Sequence, residues 1–220
     1  MNDIIKLISS RHLENEYYCF DFEKPNDFSF EEGQYCIFEI INKNLEGRKV
    51  RAFSIASTTD ENMVRIATRI VDKCSDYKEV LKSMEIGEEI SVTMPKGKFV
   101  LDTSRNGVFI AGGIGITPIR SMLLSKTRND LKRQDLLIYS ELEKCYPFKN
   151  ELEVLPNLEI QYAADIEPTQ KLIIESAKKF KNTVCYYVSG SPGFVNGISG
   201  LLMENGVLED NIRHDLFIGY

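Results

Sequence analysis

Apolar and polar residues follow two different rhythms along this chain, and the rhythm changes near residue 104. Before it, runs at 17–22, 35–41, 50–57, 63–68 and 89–93 are rich in Tyr, Phe, Ile and Val and alternate with a partial period of two. That spacing turns one face of an extended chain inward and the other outward, so five strands are predicted. One helix interrupts them. Tyr77, Val80, Leu81 and Met84 recur at helical spacing, with Ser75 in the N-cap position and Gly87 after the last turn. Many short strands separated by regular turn signals predict a small antiparallel barrel.

After 104, apolar runs at 108–111, 136–139, 158–162, 184–188 and 216–218 alternate with helical stretches at 118–126, 148–154, 169–180 and 192–204. Near-continuous apolar strands that alternate with helices belong to a parallel sheet covered on both faces. The polar stretch 102–106, which ends at Gly107, reads as the linker. Two domains are therefore expected: an antiparallel β-barrel over 1–103, then an α/β parallel-sheet domain over 104–220.

The stretch "GVFIAGGIGITPIRSML" (107–123) runs a strand into a helix through Gly112, Gly113 and Gly115, with Thr117 as expected N-cap and Pro118 at the first helical position. Bare backbone there lets other atoms come close, and the amides of the helix start face the same place. Such a turn is either an anion site at the carboxyl end of a parallel strand or merely a tight connection. It lacks the lysine of a triphosphate loop, and its glycine spacing is not G-x-G-x-x-G. "YYVSGSPGFVNGISGLL" (186–202) repeats the device, with Gly190, then Ser191 as cap and Pro192 at the first helical position. Two such turns on neighbouring strand ends suit an extended ligand such as a dinucleotide. In the barrel half, "RKVRAFSIAST" (48–58) carries Arg51, then an aromatic, then hydroxyls at Ser54 and Ser57. That is a phosphate clamp beside a stacking surface, or a half-exposed strand of mixed chemistry. The helix start at Ser75 adds a second place that favours an anion.

Composition narrows the classes. The chain has 220 residues, a net charge of −6 and a pI near 5.2, which speak against nucleic acid or an anionic membrane surface as general partners. No apolar run approaches the roughly 20 residues of a spanning helix, and the N-terminus is acidic rather than signal-like, so a cytoplasmic protein is expected. The 5 cysteines are dispersed, which fits a reducing compartment and supplies no iron–sulfur spacing. With 2 isolated histidines, no metal is expected.

These motifs, taken in order, resemble the ferredoxin–NAD(P)+ reductase family of FAD-dependent oxidoreductases, from about residue 14 to the C-terminus. Gly33-Gln34-Tyr35 is similar to the family's "PGQY" turn, and 51–57 to its R-x-[Y/F]-S-x-x-S flavin motif. Cys74-Ser75 resembles its "CS" pair, 94–99 its "GPxGxF", "AGGIGITP" its pyridine-nucleotide loop, and Gly190-Ser191-Pro192 its "GPP" turn. The C-terminal Phe217 and Tyr220 resemble its aromatic tail. The resemblance implies an FAD-binding barrel and an NAD(P)-binding α/β domain. It implies a flavin set of Arg51, Ala52, Phe53, Ser54, Thr68, Cys74 and Ser75, with Arg51 and Ser75 on the diphosphate and Phe53 against the ring. It puts the nicotinamide nucleotide across Gly112, Gly113, Gly115 and Thr117 and across Gly190, Ser191 and Pro192. Ser54, near flavin N5, and Ser189, beside the nicotinamide, are the residues it places at the hydride transfer; either Phe217 or Tyr220 shields the flavin. Three positions depart from the family pattern: Phe53 stands for the usual Tyr, Met94 for a Gly and Ser189 for the Cys of many members.

The second and third strands of the later domain end in "YSEL" and "AAD", so Glu141 and Asp165 stand where NADPH-preferring members place cations or Ser. A carboxylate repels a 2′-phosphate and accepts from a 2′-hydroxyl, which favours NADH over NADPH; both acids also fit solvated loops. The resemblance implies a separate electron carrier, ferredoxin or flavodoxin first, with a quinone, a small molecule or another redox protein as alternatives. Lys126, Arg128, Lys132 and Arg133 read as a docking patch or a solvated helix end. Two further readings stand beside the reductase: a component of a multi-subunit oxygenase or dehydrogenase, and a redox-inactive binding module with the same fold.

Overall fold

The computed structural model describes residues 2–125 and 134–218. Contacts divide the chain into two units, Met1–Val100 and Leu101–Tyr220. The basic cluster Lys126, Arg128, Lys132 and Arg133, and Tyr220 at the tail, lie outside the described residues.

The first unit holds β1 (Asn2–Glu14), β2 (Tyr17–Glu23), β3 (Tyr35–Ile40), β4 (Val50–Ser54), β5 (Met63–Arg69), α1 (Asp76–Lys82) and β6 (Glu89–Thr93). They form one antiparallel sheet in the order β4-β3-β6-β1-β2-β5. The chain leaving β4 runs beside β5: Ala56 N–H donates to Arg65 O at 2.8 Å, and Ser57 Oγ accepts from Arg65 N–H at 3.0 Å. The two edges of the sheet are thereby drawn together, as a barrel requires. Inside lie Ile5, Leu7, Phe20, Phe22, Phe38, Ile66, Ile90 and Val92, joined by Tyr77 and Leu81 from α1. Cys19 and Cys36 are buried as well, and burial pushes their thiols up to about 11 and 12, so both are neutral packing groups.

One strand is additional to the five expected. β1 lies between β6 and β2, yet only Ile5 and Leu7 of its residues are fully buried, and Ile4 is exposed. Its alternation is too short to register as a period. β4 also ends at Ser54, because Ile55 N–H turns to Gln34 O.

The second unit contains β7 (Gly107–Gly112), α2 (Ile116–Leu124), β8 (Asp135–Ser140), α3 (Lys149–Leu152), β9 (Leu158–Ala163), α4 (Ile166–Phe180), β10 (Cys185–Gly190), α5 (Pro192–Glu204) and β11 (Ile212–Leu216). All five strands are parallel, in the order β11-β10-β7-β8-β9. On one face Val108, Ile110, Ile138, Tyr186 and Val188 pack under Ile173 and Ala177 of α4 and Val195, Ile198 and Leu202 of α5. β7, β8 and β10 are buried almost throughout, which is why they read as unbroken apolar runs. β11 is an edge strand with the polar sequence IRHDL, so it lies four residues earlier than its apolar remnant at 216–218 suggested. Among the described residues no helix is long and apolar enough to cross a membrane, and no group of His, Cys, Asp or Glu is placed to hold a metal.

Candidate functional site

Strand order decides where the second unit can bind a ligand. From β7 the chain builds outward through β8 and β9, then returns to the other side of β7 with β10. The carboxyl ends of β7 and β10 therefore flank the switch point, where connections diverge and a crevice opens. Both glycine turns are there. Ser189 pairs with Ala111, and a Cβ on Gly190 would sit 3.2 Å from Gly112 O.

The glycines turn out to serve the chain's own packing. A Cβ on Gly112 would meet the Phe194 ring at 2.8 Å, and one on Gly190 would meet the same ring at 3.1 Å. A Cβ on Gly115 would fall 2.2 Å from Ser189 O, an impossible approach for any side chain. Gly113 has φ +54° in the left-handed region, which glycine enters at no steric cost. Phe194, half-buried in the first turn of α5, thus wedges between the two turns, and sequence reasoning missed it. The signal available was an aromatic three residues after the Ser191 cap. That cap forms as expected, with Ser191 Oγ accepting from Phe194 N–H at 3.4 Å and Pro192 opening α5.

Thr117 is not a cap. A 3-10 turn over Gly113–Gly115 runs directly into α2, so Thr117 lies inside the helix and Pro118 in its first turn rather than at its first position. The Thr117 hydroxyl donates back to Ile114 O at 3.1 Å, which satisfies it locally. Ser189 differs: it is fully buried at the end of β10, and its Oγ has no hydrogen-bond partner among the described residues. A buried hydroxyl without a partner costs about 1–3 kcal/mol, so it marks a place where a bound group can supply what the protein does not. The tail joins this turn, since Phe217 N–H donates to Gly190 O at 2.9 Å.

The acids at the ends of β8 and β9 have local duties. Glu141 is buried and accepts from Glu143 N–H at 3.3 Å. Asp165 is the N-cap of α4, Oδ1 accepting from Ile166 N–H at 2.7 Å, and so α4 begins three residues before the expected start. Ser140 at the end of β8 is tied to α4 through Thr169, hydroxyl to hydroxyl, at 2.8 Å.

In the first unit Arg51 lies on β4 with its guanidinium over the Tyr77 ring at 5.4 Å, donating to Val50 O at 2.9 Å and Arg48 O at 3.3 Å. Among the described residues no carboxylate pairs with it. Phe53 is half-buried, edge-on to Phe38 at 5.8 Å and tilted against Tyr77 at 6.0 Å. Ala52 is exposed between them; Ser54 and Thr68 are buried, and Cys74 is half-buried against the core. Ser75 holds the N-cap backbone position of α1, and its carbonyl accepts from Lys78 and Glu79 N–H. Its hydroxyl makes no capping bond, contrary to the expectation, although its φ −76° and ψ 150° are those of an ordinary N-cap. Lys78, which no motif singled out, stands beside this group and donates from Nζ to Arg69 O at 2.7 Å. Burial first, then the positive fields of Arg51 and Arg69 against the opposing effect of Cys74, lower its pKa from the ordinary lysine value.

No protein-family model matches the chain. A flavohemoprotein from Bacillus subtilis (strain 168) is 26% identical over 234 residues, covering 96% of this chain and 58% of that protein, so the chain spans a little over half of this relative's length. A ferredoxin NADP+ reductase from Neisseria gonorrhoeae, solved with bound FAD and NADP, superposes with a TM-score of 0.83 at 17% identity, covering 99% of both chains. A ferredoxin reductase in carbazole 1,9a-dioxygenase gives a TM-score of 0.81 at 16% identity, covering 99% of this chain and 70% of that one. In fold the chain is a ferredoxin reductase-like protein, and its sequence relatives, the flavohemoproteins, agree with that resemblance.

Proposed function

We propose that the chain is a flavin-dependent NAD(P)H oxidoreductase that delivers electrons to a separate redox carrier. The observation that carries this reading is the pair of glycine turns on the strands flanking the switch point, with Ser189 Oγ, at the end of β10, buried and without a partner among the described residues. FAD, when bound, supplies acceptance of a hydride from NAD(P)H and onward release of two electrons. The chain's residues bind and orient. Arg51, without a carboxylate partner among the described residues, and Ser75, with its hydroxyl uncommitted to a cap, suit a diphosphate. Phe53, half-buried, would offer an aromatic face to the flavin ring, and Ser54, Thr68 and Cys74 would help to hold it. Gly113, Gly190, Ser191 and Pro192, with Ser189 at the end of β10 and Phe217 tied to Gly190 O, would hold the nicotinamide nucleotide. Asp165 and Glu141 at the strand ends favour NADH.

Anaerobic titration of the FAD-loaded protein with NADH, then NADPH, while following flavin absorbance, tests this directly. Bleaching at lower NADH than NADPH concentration is expected. Flavin that stays oxidised with both, or a protein that takes up no FAD, overturns the proposal in favour of a binding module. The likeness to the carbazole dioxygenase reductase favours a second reading, in which the acceptor is part of an oxygenase. Co-purification with oxygenase subunits, rather than reduction of ferredoxin or flavodoxin, distinguishes it.

A further inference from the structure

One arginine holds the second half of the 51–57 stretch from two sides. Arg65 lies on β5 opposite Asp21 of β2, and both are buried. Its Nε donates to Asp21 Oδ1 at 2.6 Å and its Nη2 to Asp21 Oδ2 at 3.0 Å, the two-pronged fit of a guanidinium to a carboxylate. Arg11 donates to the same Oδ2 at 3.2 Å. The Nη1 of Arg65 donates to Glu61 Oε1 at 3.2 Å. Glu61 in turn accepts from Thr58 N–H on Oε2 at 2.8 Å, and its own N–H donates to Thr58 Oγ1 at 3.3 Å. The main chain of Arg65 meanwhile makes the two bonds that draw the sheet's edges together, accepting from Ala56 N–H and donating to Ser57 Oγ. Residues 56, 57 and 58 are each tied to Arg65, directly or through Glu61, and Arg65 is pinned to β2, an interior strand.

Such a cluster is a poor device for stability alone. A buried ion pair recovers little more than its desolvation costs, and apolar residues of similar volume often serve a fold as well. What a planar guanidinium with a fixed fork does supply is direction. The segment it directs follows immediately on Ser54, and is held at its start by Ile55 N–H donating to Gln34 O at 2.9 Å. We infer that Arg65, clamped by Asp21 and Glu61, is a positioning residue for the flavin, because it sets the path of residues 55–58 and with it the place of Ser54 and Ser57. The inference rests on the flavin reading above and adds to it three residues that no motif contains. A site held by a supporting shell loses rate when that shell loosens, since a displacement of about 1 Å costs on the order of 100-fold.

The test compares FAD-loaded wild type with the double variant D21L/R65M and with E61A and E61Q. These substitutions spare the main-chain bonds of Arg65 and remove only what anchors them. Four quantities are read: thermal unfolding without FAD, FAD affinity, the visible circular dichroism of bound flavin, and anaerobic flavin reduction across a range of NADH concentrations. The double variant is expected to melt near wild type, to show an altered flavin dichroism, and to lose at least about fivefold in limiting reduction rate with half-saturating NADH within twofold of wild type. E61A is expected to shift dichroism and rate in the same direction by a smaller factor. E61Q keeps an acceptor for Thr58 N–H and is expected to recover most of that loss. Wild-type dichroism and limiting rate in the FAD-saturated double variant overturn the inference, whatever its melting temperature, and leave Arg65 and Asp21 a packing pair. If the double variant does not fold, E61A decides, because it leaves the Asp21 pair intact: an altered dichroism with a slower limiting rate supports the role of Arg65, and wild-type values overturn it. Wild type that takes up no FAD removes the flavin reading and this inference together, whereas wild type reduced by NADH at the same rate as every variant overturns the role of Arg65 alone.

Discussion

At the scale of single residues, the glycines of the second unit show how a correct position can have an unexpected reason. Gly112 and Gly190 suggested approach by a foreign molecule, yet the Phe194 ring already lies against both. Gly112→Ala is therefore expected to destabilise the protein by about 1–3 kcal/mol through overpacking. Combining it with Phe194→Ala makes room for the new methyl, so the double variant loses less than the sum of the two single losses. Urea unfolding of the four proteins measures that difference; strictly additive losses would show that the ring does not constrain Gly112. The motifs located both strand-to-helix turns because glycine and proline leave sharp marks in a sequence. They could not show that Phe194 packs against both turns, because an aromatic on a helix carries no mark of what it faces. The same blindness placed Thr117 at a cap, since nothing at that position marks that a 3-10 turn over Gly113–Gly115 runs straight into α2 ahead of it.

Elements were legible in proportion to how strongly their burial patterned them. α5 is found over the residues expected, because its cap, its proline and its apolar spacing all agree. The buried strands β7, β8 and β10 announce themselves as apolar runs, whereas β1 and β11 are set by their partners and carry few buried residues of their own. α4 separates two roles that the sequence superimposed on Asp165. As its N-cap, Asp165 is worth about 0.5–2 kcal/mol, which Asp165→Ala should lose. Asp165→Asn keeps the capping oxygen and removes the charge. Its stability should stay near wild type while the preference for NADH over NADPH declines, and Asp165→Arg should move the preference further towards NADPH. An unchanged preference ratio in all three variants would leave Asp165 a helix cap alone.

At the scale of the whole molecule, two units share one chain, and ligands that bind the folded state stabilise it by mass action. Free FAD at about 100 times its dissociation constant should add about 2.7 kcal/mol, raising the melting temperature on the order of 5–10 °C for a chain of this size. Scanning calorimetry with and without FAD reads the shift, and a melting profile indifferent to FAD would argue against a flavin protein. The strand order of the second unit has one more consequence, for how the molecule comes into being. β7 is made first and ends in the middle of the sheet, but its partner on one side, β10, begins about 80 residues later at Cys185. A chain emerging from the ribosome can pair β7 with β8 and β9 while the other edge of β7 stays bare, a long apolar edge open to pairing with a neighbour. Only when residues 189–192 have been synthesised can the two glycine turns meet, so this end of the sheet is assembled late, with only α5 and β11 still to follow.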